Sequence, residues 1–382
     1  MNTYTAAFSA QKKYWSVLLL CLAFIHTGNA QPVDKKATKE TKALYKNLQS
    51  SLKKGILFGH QDDLAYGVNW KYQKGRSDVK EVTGEYPGLF GWELGGLEND
   101  AAVNLDTVPF DKMKAYILKG YKAGAAITIS WHLNNPLTGK TAWDPSPANT
   151  IPSILPGGEK NKLFKSWLDK VAVFLKSLKT KEGVYVPVIW RPYHELNGSW
   201  FWWGGKNCTA QEYIDLWKYT MTYLKDTKNI HHLLYTFSNT GFANEQEFLE
   251  RYPGNDWVDI VGFDSYHSGD SSTNKTFSDG LEKSIGMLEK IAKDKKKIPA
   301  LTEIGCNKIP YSNWFTEVLY KALEKHNIAF ALVWRNAGLK PKGEIEYYVP
   351  YKGHPSAADF LKFSKEKKMF FEKRTKQLKL YQ

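Results

Sequence analysis

Short runs of apolar and β-branched residues recur along the chain, separated by stretches in which apolar positions return every three or four residues. The runs are Ile56–Gly59, Leu89–Trp92, Ala126–Trp131, Val184–Arg191, Leu233–Phe237, Ile260–Asp264, Ala300–Glu303 and Phe330–Trp334. Between most of them lie helical patterns such as Phe164–Leu178 and Glu212–Leu224, whose apolar residues share one face at the helical period. Buried strands alternating with amphipathic helices predict a parallel sheet. Eight repeats of the unit predict an α/β fold of the (β/α)8 TIM barrel type, a single domain over residues 31–382. No glycine-rich phosphate loop follows the first run, which argues against a dinucleotide-binding sheet.

The N-terminus follows another pattern. Lys12 and Lys13 precede an apolar run from Val17 to Ile25, and Gly28-Asn29-Ala30 supplies small residues before Gln31. This order predicts a signal peptide over residues 1–30 and export to the periplasm or the medium. The apolar run is too short for a membrane anchor, and Cys21 follows Leu20 rather than a small residue, so a lipoprotein cleavage box is poorly formed. Cys208 and Cys306 remain beyond the predicted cleavage point. Two cysteines make no disulfide framework, and their pairing is left open.

Charge changes the picture little. Lys and Arg number 53 against 39 Asp and Glu, a formal net charge of +14. The excess is mostly lysine scattered over helical stretches. Its densest run, Lys362–Lys379, carries Phe363, Phe370, Phe371 and Leu378 and predicts a final packing helix with a solvated lysine face. No nucleic-acid motif accompanies it, so no nucleic-acid partner is expected. The aromatic content, 14 Trp, 22 Tyr and 19 Phe, says more. Most such rings fill cores, but clustered Tyr and Trp also offer flat apolar faces with polar edges, which suit sugar rings.

Polar and aromatic residues gather just after the predicted strands: His60-Gln61-Asp62, Trp92-Glu93, Trp131-His132-Leu133-Asn134, His194-Glu195, Asp264-Ser265-Tyr266-His267, Glu303 and Trp334-Arg335-Asn336. In a barrel of this type the reactive site is built at the C-terminal strand ends. Any one of these residues could be a loop cap; a structural barrel does not need so many of them at one rim.

Two carboxylates stand out, Glu195 after the fourth strand and Glu303 at the end of the seventh. Glycoside hydrolysis needs a proton donor for the leaving oxygen and a carboxylate facing the oxocarbenium-like centre; a separation of about 5–5.5 Å gives retention of configuration. Glu195 lies in W-R-P-Y-H-E-L-N-G-S-W-F-W-W-G, residues 190–204. Walls made by Trp200, Trp202 and Trp203 would raise its pKa, as a general acid requires, and His194 and Asn197 could hydrogen-bond sugar or acid. Arg191 is placed to keep Glu303 ionised, and Tyr266 to donate to it, although a purely structural ion pair would use Arg191 equally well. Asp62, Asp63, Glu93 and Asp264 could bind sugar hydroxyls. His60, His132, His194 and His267 come from different strand ends without metal-ligand spacing, so no metal is expected.

The 190–204 segment closely resembles the acid/base motif of glycoside hydrolase family 26, chiefly β-mannanases. F-G-H-Q-D-D at 58–63, S-W-H at 130–132, G-F-D-S-Y-H at 262–267 and L-T-E-I-G at 301–305 are similar too, in the family's order. The resemblance implies a retaining β-1,4-mannanase, with Glu195 as acid/base and Glu303 as nucleophile. It implies substrate contacts at His132, His194, Trp200 and Tyr266, and Trp334 as a sugar platform. It also looks like the periplasmic mannanases of gut Bacteroides-type bacteria, some of which release mannobiose from chain ends. Mannan, galactomannan or manno-oligosaccharide is the implied partner, a monomer is expected, and no cofactor is needed because two carboxylates and a water suffice. The loops around 134–160 and 338–355 would decide endo against exo action. The alternatives are a β-1,3-xylanase or mixed-linkage β-glucanase on the same barrel, and a non-catalytic carbohydrate-binding barrel that would need neither carboxylate.

Overall fold

The computed structural model describes Met1, Thr3, residues 31–339 and residues 344–382; the signal-peptide expectation for residues 1–30 falls outside that range apart from those two positions. Eight strands form the barrel: β1 (Ile56–Gln61), β2 (Leu89–Glu93), β3 (Ala126–Trp131), β4 (Val188–Pro192), β5 (Leu233–Asn239), β6 (Ile260–His267), β7 (Ile298–Cys306) and β8 (Phe330–Val333). Each is parallel to the next. Pairing of β8 with β1 (Leu57 opposite Phe330, His60 opposite Val333) closes the ring. The strands are buried almost throughout, which is why they read as apolar runs rather than as alternation.

Two apolar cores result. Leu57, Leu89, Ala126, Ile189, Leu234, Ile260, Ala300 and Leu332 fill the barrel and meet Leu44, Tyr45 and Leu48 from the helix Lys39–Ser51, which plugs one end. That helix starts at Thr38, whose side chain caps the amide of Thr41, as N-cap threonines do. The larger core lies between the strands and the surrounding helices, among them Phe110–Ala123, Asn161–Ser177, Ala210–Thr222 and Asn274–Lys295. Among the described residues no helix is long and apolar enough to cross a membrane.

Two expectations are corrected. The fourth strand begins at Val188, not Val184, because Tyr185 bridges back to Lys179 and Pro187 has no amide proton for the ladder. The C-terminal lysine-rich run is not one helix. Helix Ala357–Lys365 ends, Met369–Phe370 pairs with Ile56–Leu57, and a second helix spans Glu372–Gln377. The break lets the Phe371 ring stack on Phe58 at 4.5 Å and Phe370 lie over Gly55, where a Cβ would sit 2.3 Å from the ring. A small antiparallel hairpin, Tyr66–Gly67 with Trp70–Lys71, follows β1; it was not foreseen. Cys208 and Cys306 are both buried and free.

Candidate active site

Arg191, near the end of β4, is the hub of the rim. Its guanidinium donates through Nη1 to Asp264 on β6 at 3.0 Å and through Nη2 to Glu303 on β7. All three side chains are nearly inaccessible to water, so a single cation balances two carboxylates away from solvent. The ladder between β6 and β7 slips at this level, from Phe263 opposite Leu301 to Asp264 opposite Glu303. Such a bulge changes the alternation of side chains, and here both members of a consecutive pair reach one network. Thr302 donates to Asp264 at 2.6 Å while Glu303 meets Arg191. Burial, offset in part by Arg191, pushes Asp264 up to about 7. The second oxygen of Glu303 accepts the Tyr266 hydroxyl at 2.5 Å.

Glu195 follows β4 in a turn where Tyr193 and Glu195 both adopt positive φ, +51° and +52°, an unusual conformation for side chains of this size. The turn leaves the Glu195 carboxyl buried within reach of the charges of Asp264, Glu303 and Arg191. Burial, and then the negative charges of Asp264 and Glu303, hold its pKa well above the usual carboxylate range. The opposing hydrogen bond from Trp200 Nε1 to Oε2, 2.6 Å long, does not reverse this. Glu195 and Glu303 thus interact across one opening in contrasting environments. One carboxyl is biased towards its proton, and the other is held by a guanidinium and a phenol.

The two histidines differ in the same way. His132, at the end of β3, meets Glu93 of β2 at 2.8 Å. Burial alone would lower its pKa, but Glu93 outweighs burial and raises it. The partner Glu93, opposed by burial, is lowered by His132. His194 packs edge-on against His132 with ring centroids 4.4 Å apart. Burial, Arg191 and His132 push it well below the ordinary histidine value, so it is neutral, and its buried Nδ1 has no partner within the protein. One donor atom each from His194, Asp264 and Glu303 lie within 4.8 Å of one another. Arg191 already neutralises the two carboxylates of that set, and a cation would have to displace it.

The structure brings Arg191, Glu195, Glu303, Tyr266, His132, His194 and Trp200 together. Trp334 directly follows β8, partly exposed, with its amide bonded to the Ile304 carbonyl. Asn197 departs from expectation. Its Oδ1 accepts from the Thr240 amide and its Nδ2 donates to the Gly241 carbonyl, so the amide ties two rim loops together. Trp202 and Trp203 are buried, with indoles donating to the carbonyls of Leu133 and His194; they support the site from beneath instead of walling it. Glu93 does not present free oxygens to a sugar either. They are taken by Gly95, Ser130 and His132. Asp62 is buried against the Tyr66 hydroxyl and Asp63 against His60.

Trp143 was missed by sequence reasoning. It is half exposed and stacks on the His132 ring at 5.2 Å. The signal was present: a tryptophan in the segment Thr141–Asp144, within one of the two loops expected to shape the cleft. A separate hollow lies on the outer wall between helices Phe110–Ala123 and Asn161–Ser177. Of its three acids, Asp100, Asp111 and Asp169, Asp100 pairs with Lys170 and Asp169 with Lys228.

Comparison with known proteins agrees with this geometry. The model of glycosyl hydrolase family 26 matches residues 33–335. A mannan endo-1,4-beta-mannosidase of Bifidobacterium adolescentis is 34% identical over 361 residues, 89% of this chain. This chain spans only 35% of that relative's length. Among solved structures, a GH26 beta-mannanase from Bacteroides ovatus superposes with a TM-score of 0.85 at 43% identity, covering 90% of this chain and 98% of that one. The catalytic domain of a Bacillus sp. JAMB-750 GH26 endo-beta-1,4-mannanase gives 0.82 at 33% identity, covering 92% and 96%. With the family model spanning most of the barrel and relatives alike over nearly the whole of it, the chain belongs to glycosyl hydrolase family 26.

Proposed function

We propose that this protein is a retaining β-1,4-mannanase acting on mannan, galactomannan and manno-oligosaccharides, with Glu303 as nucleophile and Glu195 as general acid/base. The observation that carries the reading is the opposed electrostatics of two carboxyls at one barrel mouth. Glu303, ion-paired to Arg191, attacks the anomeric carbon. Glu195 gives its proton to the departing glycosidic oxygen, and the C–O bond breaks. In the second half Glu195 takes a proton from water, whose oxygen attacks the anomeric carbon and releases Glu303. Desolvation favours the protonated form of Glu195 in the first step, and Tyr266 and Arg191 hold the attacking oxygens in place. His132, His194, Trp200, Trp143 and Trp334 supply hydrogen-bonding and stacking surface for the sugars. The names of the relatives, mannan endo-1,4-beta-mannosidases, support mannan over the xylan and glucan alternatives.

The test is hydrolysis of mannan, galactomannan, lichenan and β-1,3-xylan, with the anomer released from mannohexaose followed by NMR. Mannan cleavage with net retention is expected, and Glu303→Ala should bind oligosaccharide without cutting it. Inversion, preference for another polymer, or a Glu303→Ala variant that cleaves at the wild-type rate would refute the assignment. The N-terminal pattern supports export with cleavage after Ala30, and the mature protein is proposed to be a monomer. The intact mass and sedimentation of protein recovered from the periplasm or medium test both.

A further inference from the structure

Tyr348 belongs to the loop between β8 and helix Ala357–Lys365, far in sequence from both carboxylates. Its ring meets Tyr266 edge-on, with centroids 5.7 Å apart. It lies on the backbone of Gly305, where a Cβ would stand 2.4 Å from the ring. Gly305 is two residues beyond Glu303, so one ring touches both the backbone that carries Glu303 and the phenol that bonds to it. The loop is pinned there. Buried Asn336 accepts the amides of Tyr348 and Val349 at 2.9 and 3.0 Å and donates to Asp78 at 2.8 Å. Asp78 in turn accepts from Val68 and Trp70 of the hairpin after β1.

We infer that Tyr348 is a positioning residue for the nucleophile: held by the Asp78–Asn336 clamp and seated on Gly305, it fixes the Tyr266 ring and so aims the Glu303 carboxylate. This rests on the reading of Glu303 as nucleophile. It goes further by making the loop after β8 part of the machinery for covalent attack and not only a wall of the cleft. A reacting group displaced by about 1 Å can lose on the order of a hundredfold in rate; an edge-on ring contact restrains less than that.

The test follows covalent labelling of Glu303 by an activated 2-fluoro mannobioside, using intact mass, at saturating reagent. Wild-type protein labels at Glu303. Tyr348→Ala should label roughly tenfold more slowly with little change in the half-saturating concentration, while Tyr348→Phe, which keeps the ring, stays within about twofold of wild type. Gly305→Ala should slow labelling in the wild-type background and add much less in the Tyr348→Ala background, because the vacated ring volume accepts the methyl; such non-additivity marks coupling between neighbours. Unchanged labelling in Tyr348→Ala, an effect confined to the half-saturating concentration, or strict additivity with Gly305→Ala overturns the inference and leaves the nucleophile assignment standing. A wild-type protein that never labels at Glu303 overturns both. Thermal melts of each variant ensure that folded protein is compared.

Discussion

Replacing Arg191 by methionine removes the guanidinium that serves both Asp264 and Glu303. At the 3.0 Å separation from Asp264, Coulomb's law with an effective dielectric of about 20 gives an attraction of about 5.5 kcal/mol. The native pair also suffers desolvation of several kcal/mol per ion, so the net worth of the bridge is small while the cost of breaking it is not. Leaving buried carboxylates without their partner should destabilise the fold by about 3–5 kcal/mol, a sizeable part of the 5–15 kcal/mol typical of a domain. Equilibrium unfolding in guanidinium, read by tryptophan fluorescence alongside mannan hydrolysis, measures both consequences. The informative comparison is the triple variant Arg191→Met, Asp264→Asn, Glu303→Gln, which discharges the whole cluster. It should regain at least about 2 kcal/mol over the single variant while remaining inactive. A triple variant no more stable than Arg191→Met would show that stranded charge is not the source of the loss, and the account of the cluster would fail.

Glu195→Ala should lose the hydrolysis of mannan by three orders of magnitude or so, within the contribution of a general acid, yet retain glycosylation of Glu303 by substrates with activated aryl leaving groups; a steady-state assay with a dinitrophenyl mannoside decides. Glu93→Gln should cost about 2–3 kcal/mol through mismatched buried hydrogen bonds. The lowered Glu93 contributes stability above the unfolded value of about 4.3, lost as pH falls. The raised His132 contributes it below about 6.5, lost as pH rises. Together they predict a stability plateau between those values that Glu93→Gln should flatten, as melts from pH 4 to 8 will show. Trp143→Ala should raise KM several-fold with kcat little changed, because its half-exposed ring contributes stacking area and makes no hydrogen bond to Glu195 or Glu303; an effect on kcat alone would contradict this.

The barrel is legible in the sequence because each of its strands is buried on both faces, so every one appears as an apolar run. The two carboxylates are legible because strand ends of such a barrel converge, and Arg191 and Tyr266 could be paired with Glu303 on that ground alone. What stayed hidden depends on register. Glu93 serves His132 because Glu93 lies opposite Ser130 across β2 and β3, and no local pattern encodes that offset. Thr302 joins Glu303 on one network only because the β6–β7 ladder slips. Asn197 looked available because its neighbours are aromatic, and nothing nearby in sequence announces the Thr240–Gly241 backbone that takes up its amide. The C-terminal run read as one helix because its periodicity continues through the turn that Phe371 makes to reach Phe58.

The backbone at Glu195 has a consequence for anyone who would make this protein sturdier. A left-handed residue with a long side chain costs on the order of 1–3 kcal/mol, a load that glycine would shed. Selection for heat resistance alone therefore pulls towards the replacement that erases the proposed proton donor. Directed evolution of this scaffold has to screen turnover in every round, or its first gains will come out of the reaction itself.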